Sequence, residues 1–184
     1  EDLVDLDEKP QENLRNLSKA KGVDINDLVV CILDRPRHEE LISKCRESGS
    51  RIILISDGDV SGVIATSEVK SGVDIYMGTG GAPEGVLAAS ALQCIGGQMQ
   101  ARLIFRNEDE IGRAKKIGIN DLNKKYKLDD LANGEVMFAA TGVTDGSMLK
   151  GVRKSGNTAY TESIVMRSKS GTVRNIYSTH NFLL

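Results

Sequence analysis

The sequence predicts an α/β fold, in which a layered sheet of mostly parallel strands with crossover helices ends in an antiparallel hairpin. The first half of the chain repeats one pattern three times: an apolar run, a polar loop and a helical stretch. Such alternation is typical of parallel strands joined by right-handed crossovers. The end of the chain instead alternates apolar and polar residues over 158–168 and 173–179, around a turn at 169–172. That pattern is typical of a hairpin.

The elements of the first half are predicted from apolar runs, prolines and glycines. Pro10 suits the first turn of a helix that reaches about Lys21, and Gly22 suits its left-handed end. Continuous apolar runs are short enough for strands that are covered on both faces. The further predicted elements are a strand over 28–33, a helix from Pro36 to Gly49, a buried strand over 51–55, a short helix over 60–67, a strand over 73–77 and a buried helix over 86–95.

The second half is less regular. Residues 98–105 and 135–140 each predict a strand, with a charged helix between them from about 108 to 131. A polar loop over 141–146 follows, in which Asp145 fits a plain turn better than a place in a site. The length of 184 residues suits a single α/β domain over the whole chain.

The composition is that of a globular protein in water, with 40% hydrophobic and 27% charged residues. The 24 basic and 26 acidic residues are mixed along the chain, so no nucleic-acid partner is expected. No apolar run approaches the roughly 18 residues of a membrane span, so no membrane partner is expected. Three cysteines without motif spacing indicate a reducing, cytoplasmic location, and Cys31 and Cys94 fit buried apolar positions.

Polar clusters follow all three predicted parallel strands, and ligands of such sheets collect at the carboxyl ends of the strands. The first cluster, Asp34-Arg35-Pro36-Arg37-His38, places two guanidiniums at the start of a helix, where an anion is favoured. A helix entrance with exposed arginines explains the same residues without a ligand. His38 is predicted to be a surface or capping residue rather than a catalytic base.

The second cluster, Asp57-Gly58-Asp59, places two carboxylates around a glycine that permits a tight turn. Acidic pairs of this kind accept hydrogen bonds from sugar hydroxyls or hold a divalent cation. The alternative is that Asp59 only caps the helix that follows it.

The third cluster, Gly78–Gly85, has four glycines, a proline and a carboxylate in eight residues. It is neither a dinucleotide fingerprint nor a P-loop, because Pro83 stands at the third glycine position and no Gly-Lys-Ser/Thr follows. Glu84 falls in the first helical turn, where the helix dipole favours a carboxylate with or without a ligand. The flanking glycines leave this carboxylate open to a metal or a substrate, so the cluster is the strongest candidate site.

Four segments together resemble the class II, GlpX-type fructose-1,6-bisphosphatases in order and spacing over nearly the whole chain. They are Asp34–His38, Ser56–Val60, Tyr76–Val86 and Ala140–Gly146. The resemblance implies a metal-dependent phosphatase of gluconeogenesis, which hydrolyses the 1-phosphate of fructose 1,6-bisphosphate to give fructose 6-phosphate with the help of Mn²⁺ or Mg²⁺. It also implies a homo-oligomer.

The roles of individual residues are carried over from the family's motifs. Glu84 corresponds to a metal-binding glutamate, and no catalytic residue is assigned within this chain. The substrate contacts that the resemblance implies are Arg35, Pro36, Arg37, Asp57, Gly58, Asp59 and Gly81. In these roles the arginines hold phosphate charge and the aspartates accept hydrogen bonds from sugar hydroxyls.

Family members begin with a longer N-terminal part that supplies the other metal carboxylates, and only a helix and a strand are predicted before Arg35 here. The start at Glu1 rather than at Met also suggests a processed or cropped polypeptide. We therefore expect the substrate-binding, C-terminal part of the phosphatase, with the N-terminal metal-binding part absent and residues 1–184 alone inactive. The alternatives are a noncatalytic sugar-phosphate-binding module, an additional sedoheptulose 1,7-bisphosphate activity, and a nucleotide-binding domain of another α/β class.

Overall fold

The chain folds into four stacked layers in a computed structural model, which describes residues 3–183. Two helices cover one face of a three-stranded parallel sheet, a third covers its other face and packs against a fourth, and a four-stranded antiparallel sheet covers that fourth helix. The α-helices run over Pro10–Lys21 (α1), Glu39–Glu47 (α2), Asp59–Ala65 (α3), Ala82–Ile95 (α4), Glu108–Lys116 (α5) and Leu128–Leu131 (α6). The strands run over Val29–Leu33 (β1), Arg51–Ile55 (β2), Ile75–Tyr76 (β3), Gln100–Ala101 (β4), Tyr126–Lys127 (β5), Met137–Thr141 (β6), Arg153–Ser155 (β7), Thr158–Arg167 (β8) and Thr172–Asn181 (β9).

The parallel sheet has the strand order β2-β1-β3, and its parallel pairing confirms the prediction from the alternating pattern. β1 pairs with β2 over its whole length, from Val29 opposite Arg51 to Leu33 opposite Ile55. On its other side β1 pairs with β3, which is shorter than the predicted strand. All five residues of β1 are buried, because strands flank it on both sides and helices cover both faces.

The second strand, predicted to be buried, forms an exposed edge of this sheet. Ile53 and Leu54 expose 40% and 39% of their surface. Among the described residues, β2 has a neighbouring strand on one side only. A continuous apolar run indicates a strand but does not distinguish a central strand from an edge strand. The predicted bounds of the strand are therefore confirmed, and its predicted burial is wrong.

The first core lies between β1 and the helices α1 and α2. α1 ends as predicted at Gly22, whose φ of 65° is the left-handed conformation that glycine adopts without strain. α2 begins at Glu39, after a single 3₁₀ turn over Pro36–His38 that starts at the predicted proline. The buried residues of this core are Leu14, Leu28, Val30, Ile32, Ile42 and Cys45.

The second core lies between the two sheets and is built around α4. The buried positions of this helix are mostly small, which lets α3 and the antiparallel sheet approach it closely. The buried residues of this core are Ile64 of α3, Ala91 and Cys94 of α4, Phe138 of β6, and Ile164 and Met166 of β8. Within residues 3–183, no helix has both the length and the apolar content needed to span a membrane.

Two predictions in the middle of the chain are wrong in extent. The strand predicted over 98–105 is reduced to Gln100–Ala101, which pairs antiparallel with β5. The charged helix predicted over 108–131 ends at Lys116, shortly before Gly118 at φ 91°. A residue in that left-handed region turns the chain out of a helix.

The predicted terminal hairpin is confirmed and belongs to a larger sheet. β8 and β9 pair from Arg167 opposite Thr172 to Thr158 opposite Asn181, and Gly171 takes a φ of 56° in the turn. The other side of β8 pairs with β6 and β7, which makes a four-stranded antiparallel sheet. The α/β class is therefore confirmed, with parallel strands in the first half of the chain and antiparallel strands in the second.

Candidate functional site

The loops that follow β1, β2 and β3 meet at one edge of the parallel sheet, as expected for strands that run in one direction. The segment Gly78–Gly81 after β3, here called the glycine loop, lies at their centre. Arg37 and His38 reach it from the loop after β1, and Asp59 reaches it from the loop after β2. The three clusters that were chosen from the sequence therefore come together at one edge of the sheet.

Arg37 holds the backbone of the glycine loop. Its Nε and Nη2 atoms donate hydrogen bonds to the carbonyl oxygen of Thr79 at 3.0 and 2.7 Å. The third nitrogen of the planar guanidinium, Nη1, has no hydrogen-bond partner among residues 3–183. Because Arg37 is exposed, this nitrogen and the positive charge are open to an anion.

Arg35 lies at the entrance of α2, next to Pro36 in the 3₁₀ turn that precedes the helix. Its Nη1 atom donates to the carbonyl oxygen of the neighbouring Asp34 at 2.8 Å. Within the described part of the chain, neither Arg35 nor Arg37 forms an ion pair with an acidic side chain. The helix entrance therefore keeps the charge of both guanidiniums, as an anion site requires.

His38 is buried, with 2% of its surface exposed, so the prediction of a surface residue is wrong. Its Nδ1 atom lies 2.8 Å from the carbonyl oxygen of Leu33, and its Nε2 atom accepts a hydrogen bond from Thr79 N at 2.9 Å. It stands at the N-cap position of α2, but its side chain makes no capping hydrogen bond there. Because Thr79 is 41 residues away in the sequence, no local pattern indicated this burial.

The turn Asp57-Gly58-Asp59 leads from β2 into α3. Gly58 is the N-cap residue and takes a φ of 77°, a conformation that favours glycine. Asp59 is the first helical residue, and no side chain among residues 3–183 makes a capping hydrogen bond at this helix start, so the simple capping alternative is wrong. Asp57 is exposed and has no hydrogen-bond partner among residues 3–183. Neither carboxylate therefore caps α3, and both can bind a ligand.

Two carboxylates lie against neighbouring glycines of the glycine loop. The Asp59 carboxylate occupies the space of a β-carbon at Gly80, and the Glu84 carboxylate occupies the corresponding space at Gly81. Glu84 lies in the first turn of α4, where the helix dipole favours its charge. It is exposed and has no hydrogen-bond or ion-pair partner among residues 3–183. Two negative charges, those of Asp59 and Glu84, thus lie against adjacent residues of the glycine loop.

Tyr76, at the end of β3, is a residue of the site region that the sequence predictions missed. Its ring packs against α3 at Gly62, where a β-carbon would come within 3.0 Å of the ring. Its hydroxyl is buried and lacks a hydrogen-bond partner among the described residues. Burial and the nearby charge of Asp59 raise the pKa of Tyr76, so the hydroxyl keeps its proton. The signal in the sequence that could have indicated this residue is a ring with a polar hydroxyl at the end of an apolar strand.

Carboxylate oxygens suit Mn²⁺ and Mg²⁺. Glu84 fits such an ion, because Gly81 leaves room for its carboxylate and no side chain of residues 3–183 neutralises it. Within residues 3–183, no group of three or more His, Cys, Asp and Glu side chains could hold a metal ion. Glu84 would therefore be one ligand of a site to which other groups contribute.

Asp145 serves the loop between β6 and β7. Its Oδ1 atom accepts a hydrogen bond from Gly151 N at 2.9 Å, and Gly146 N donates to Leu149 O at 2.9 Å. These bonds close a turn, which is the structural role that its sequence context favoured.

The fold and the site define an α/β protein with a candidate ligand site at the carboxyl ends of its parallel strands, where guanidiniums and carboxylates surround one glycine loop. Over residues 1–180, the chain matches the family described as bacterial fructose-1,6-bisphosphatase, glpX-encoded. The chain belongs to this family, and the resemblance that its sequence motifs gave is confirmed.

Curated relatives carry matching names. The D-fructose 1,6-bisphosphatase class 2/sedoheptulose 1,7-bisphosphatase of Trichodesmium erythraeum is 41% identical over 192 aligned positions, which cover 97% of this chain and 56% of that protein. The protein of the same name from Synechococcus elongatus is also 41% identical, with the same coverage of 97% and 56%. The fructose-1,6-bisphosphatase class 2 of Haemophilus influenzae is 40% identical and is covered to 57%. The chain thus spans a little over half the length of these relatives.

Proposed function

We propose that this chain is the substrate-binding part of a metal-dependent phosphatase that hydrolyses the 1-phosphate of fructose 1,6-bisphosphate to fructose 6-phosphate and phosphate, a step of gluconeogenesis. The observation that carries the proposal is the meeting of three strand-end loops at the glycine loop. A guanidinium lies on one side of that loop, and two carboxylates lie against its last two residues. The printed names of the relatives support the choice of reaction and substrate.

In this proposal Arg35 and Arg37 neutralise phosphate charge. A guanidinium offers its donors in a fork that matches phosphate oxygens. Arg37 keeps Nη1 for a ligand after binding Thr79, and Arg35 uses only one bond to its own neighbour. Pro36 fixes the backbone between them, so the two side chains leave the loop from defined positions.

Asp57 and Asp59 accept hydrogen bonds from the sugar hydroxyls, and Gly58 permits the turn that separates them. Ionised carboxylates only accept hydrogen bonds, so they match the hydroxyl groups of the substrate and repel its phosphates. Gly81, without a side chain, permits close approach of its backbone. Together these contacts orient the sugar so that its 1-phosphate is held in one place for reaction.

Glu84 supplies one ligand of Mn²⁺ or Mg²⁺. Such an ion neutralises charge on the transferring phosphoryl group and activates water. The proposal assigns the remaining metal ligands to the part of the relatives that lies outside their match to this chain. Residues 1–184 then form a single α/β unit that binds sugar phosphate and does not hydrolyse it alone.

Phosphate release from fructose 1,6-bisphosphate tests the proposal. The protein as encoded by its gene is expected to release phosphate with Mn²⁺ or Mg²⁺, and this release is expected to stop when the ion is chelated. Arg35→Met is expected to raise KM about tenfold or more, since hydrogen bonds to charged groups contribute about 1.5–3 kcal/mol. The matched control is Gly112→Ala in α5, which adds a methyl group with no atom of residues 3–183 within 4 Å apart from the backbone of its own helix. Its KM is expected to stay at the wild-type value.

Two further outcomes separate the alternatives. Saturable binding of fructose 6-phosphate without hydrolysis by the encoded protein would indicate a noncatalytic sugar-phosphate-binding module. A purified polypeptide of residues 1–184 is expected to show that binding without turnover. Metal-dependent phosphate release by this polypeptide at ordinary enzyme rates would refute the assignment of the other metal ligands.

A second substrate is favoured by the names of two relatives, which include sedoheptulose 1,7-bisphosphatase. Both sugars present a phosphate on carbon 1 and neighbouring hydroxyls, so the same arginines and aspartates would serve. A comparison of kcat/KM for the two bisphosphates decides whether the site accepts both. A kcat/KM for sedoheptulose 1,7-bisphosphate at background level would contradict this second activity.

We also place the protein in the cytoplasm as a homo-oligomer, with a small-molecule substrate and with neither nucleic acid nor membrane as a partner. The net charge of −2 and the three buried free cysteines support this setting. The largely exposed strand β9 offers an edge where a strand of a second copy could pair. Light scattering at working concentrations tests the oligomer, and a strict monomer would contradict it.

A further inference from the structure

The backbone of Thr79 is held from both sides by consecutive residues of another loop. Arg37 donates two hydrogen bonds to its carbonyl oxygen, and its N–H donates to Nε2 of His38 at 2.9 Å. These side chains are 42 and 41 residues away in the sequence. Both main-chain polar groups of Thr79 are thus paired with side chains rather than with a neighbouring strand.

The two hydrogen bonds of His38 fix the position of its proton. The carbonyl oxygen of Leu33 only accepts, so Nδ1 carries the proton and donates to it at 2.8 Å. The main-chain N–H of Thr79 only donates, so Nε2 carries a lone pair. The neutral ring is buried and both of its nitrogens are used. His38 therefore has no nitrogen left for proton exchange with a substrate and acts through the position of other groups.

The glycine loop needs such support because three of its four residues are glycines. Glycine loses more conformational freedom on ordering than any other residue, so a segment of this composition does not keep one shape by itself. Gly78 takes a φ of 153°, and a β-carbon there would lie 3.2 Å from Cε1 of His38. The imidazole therefore packs against the loop in addition to its hydrogen bond.

The position of Thr79 sets the position of two carboxylates. Gly80 and Gly81 follow it directly, and the space left by their missing side chains is occupied by the carboxylates of Asp59 and Glu84. A shift of Thr79 moves that space and so changes the room that the loop leaves for these carboxylates. Misplacement of about 1 Å in a reactive site can cost about 100-fold in rate.

We infer that His38 is a positioning residue of this site, which fixes the glycine loop through Thr79 and thereby the spacing between the Arg37 guanidinium and the carboxylates of Asp59 and Glu84. The inference rests on the proposed phosphatase function. It assigns no proton transfer to the imidazole. What residue 38 must provide is an acceptor at the Nε2 position.

Two substitutions separate the two hydrogen bonds of the ring. His38→Gln places an amide oxygen near the Nε2 position, where it accepts from Thr79 N. His38→Asn places its amide near the Nδ1 position, so it keeps the bond to Leu33 and leaves Thr79 N unpaired. The matched control is Ser50→Ala, which deletes a buried hydrogen bond to the carbonyl oxygen of Cys45, 2.9 Å long, beyond the far end of α2.

Three properties are measured for each variant of the protein as encoded by its gene. They are kcat/KM with fructose 1,6-bisphosphate, from separate values of kcat and KM, the Mn²⁺ requirement of this reaction, and hydrogen exchange at the Thr79 amide. His38→Asn is expected to lower kcat/KM about 10- to 100-fold, to raise the Mn²⁺ requirement and to speed exchange at Thr79. His38→Gln is expected to restore all three to within a few-fold of the wild type. Ser50→Ala is expected to lower the urea midpoint without changing kcat/KM.

A wild-type kcat/KM in His38→Asn would overturn the inference. So would a His38→Gln variant that keeps Thr79 protected from exchange but loses turnover, since the imidazole itself would then be required. If His38→Asn does not fold, His38→Gln alone decides between these outcomes. Absence of phosphate release by the wild-type protein would instead overturn the proposed function, while exchange at Thr79 still tests the hydrogen bond to His38.

Discussion

The Glu84 carboxylate lies in the space that a β-carbon of Gly81 would occupy, three residues earlier in the chain. Gly81 has an ordinary φ of −75°, so its backbone conformation does not require glycine. What residue 81 provides is room for a charged group, and the flexible end of Glu84 can move if that room is filled. Residue 81 therefore controls where the carboxylate lies without controlling whether the chain folds.

Gly81→Ala is expected to weaken metal-dependent activity and leave the fold intact. The added methyl displaces the carboxylate of Glu84, so the Mn²⁺ concentration at half-maximal phosphate release is expected to rise about tenfold. The free energy of unfolding is expected to change by only about 0.5 kcal/mol, as for a surface substitution. Metal titration and urea unfolding measure the two effects.

The control for this prediction is Gly112→Ala, at a helical glycine of α5 where no atom of residues 3–183 outside its own helix backbone lies within 4 Å of the added methyl. It is expected to keep the wild-type metal requirement and to stabilise the protein by about 0.5–1 kcal/mol, because alanine is the better helix former. Equal metal requirements in the two variants would contradict the role given to Gly81.

Glu84→Gln is expected to raise the Mn²⁺ requirement of phosphate release more than Gly81→Ala does. The amide keeps the shape of the side chain and removes the charge that binds a divalent ion, at a cost of more than about tenfold in affinity. In the Glu84→Gln background, Gly81→Ala is expected to cause no further rise in the Mn²⁺ requirement, because both substitutions act on one carboxylate. Additive effects of the two substitutions would count against this coupling.

Tyr76→Phe is expected to leave stability unchanged or to raise it. The hydroxyl of Tyr76 is buried without a hydrogen-bond partner among the described residues, and an unsatisfied buried polar group costs about 1–3 kcal/mol. Its removal relieves that cost while the ring stays packed against Gly62. Urea unfolding checks the prediction, with Tyr177→Phe at an exposed position as control. A clear loss of stability in Tyr76→Phe alone would mean that the hydroxyl has a partner.

Asp7→Asn is expected to destabilise the protein at neutral pH, and less so as the pH falls. A hydrogen bond from Arg102, with a second from Lys125, lowers the pKa of Asp7 from 3.8 to about 2. A carboxylate with a depressed folded-state pKa contributes stability that is fully present above pH 3.8. That contribution is lost as the pH falls through about 2.

Urea midpoints of Asp7→Asn and the wild type, followed from neutral pH downward, measure this difference. The gap between the two proteins is expected to close as the pH approaches about 2. The control is Glu12→Gln, which removes an exposed helix pair with Arg15 and is expected to cost about 0.2–0.5 kcal/mol. A gap between Asp7→Asn and the wild type that is constant with pH would contradict the ionic origin.

The three cysteines are expected to resist thiol reagents in the folded protein at neutral pH. All three are buried, and burial raises the pKa of each thiol, that of Cys45 to about 11. The thiolate is the reactive form, so both its scarcity and its burial slow the reaction. Colorimetric thiol titration is expected to detect no fast-reacting thiol before urea is added and three afterwards. A fast-reacting thiol in the folded protein would contradict this prediction.

The parallel layer and its strand-end clusters could be predicted because local features encode them. Pro10 and Gly22 delimit α1 through backbone preferences that act within a few residues. The meeting of the three loops then follows from strand direction alone, since the carboxyl ends of parallel strands share one edge. The candidate site residues on those loops could therefore be predicted from the sequence.

The remaining features depend on contacts between distant residues. His38 is buried because Thr79 and Gly78 lie over it, and nothing near residue 38 specifies that contact. The exposure of Ile53 depends on whether another strand pairs with β2, which its own apolar run cannot show. The prediction that the helix continues past Lys116 was wrong for a different reason. An isolated glycine in a charged helical pattern is compatible either with a helix that continues or with one that ends there.

The helix α4 is covered by α3 on one side and by the antiparallel sheet on the other. Amides in such an element become accessible only when a large part of the protein opens, whereas edges and terminal helices open in smaller steps. Fraying of β9 or release of α1 would leave α4 in place. Glu84 lies in the first turn of this covered helix, whereas Arg35 and Arg37 lie at the entrance of α2. In the proposed site, the metal ligand therefore stands on a helix whose central amides are expected to exchange more slowly than those of the loop that carries the arginines.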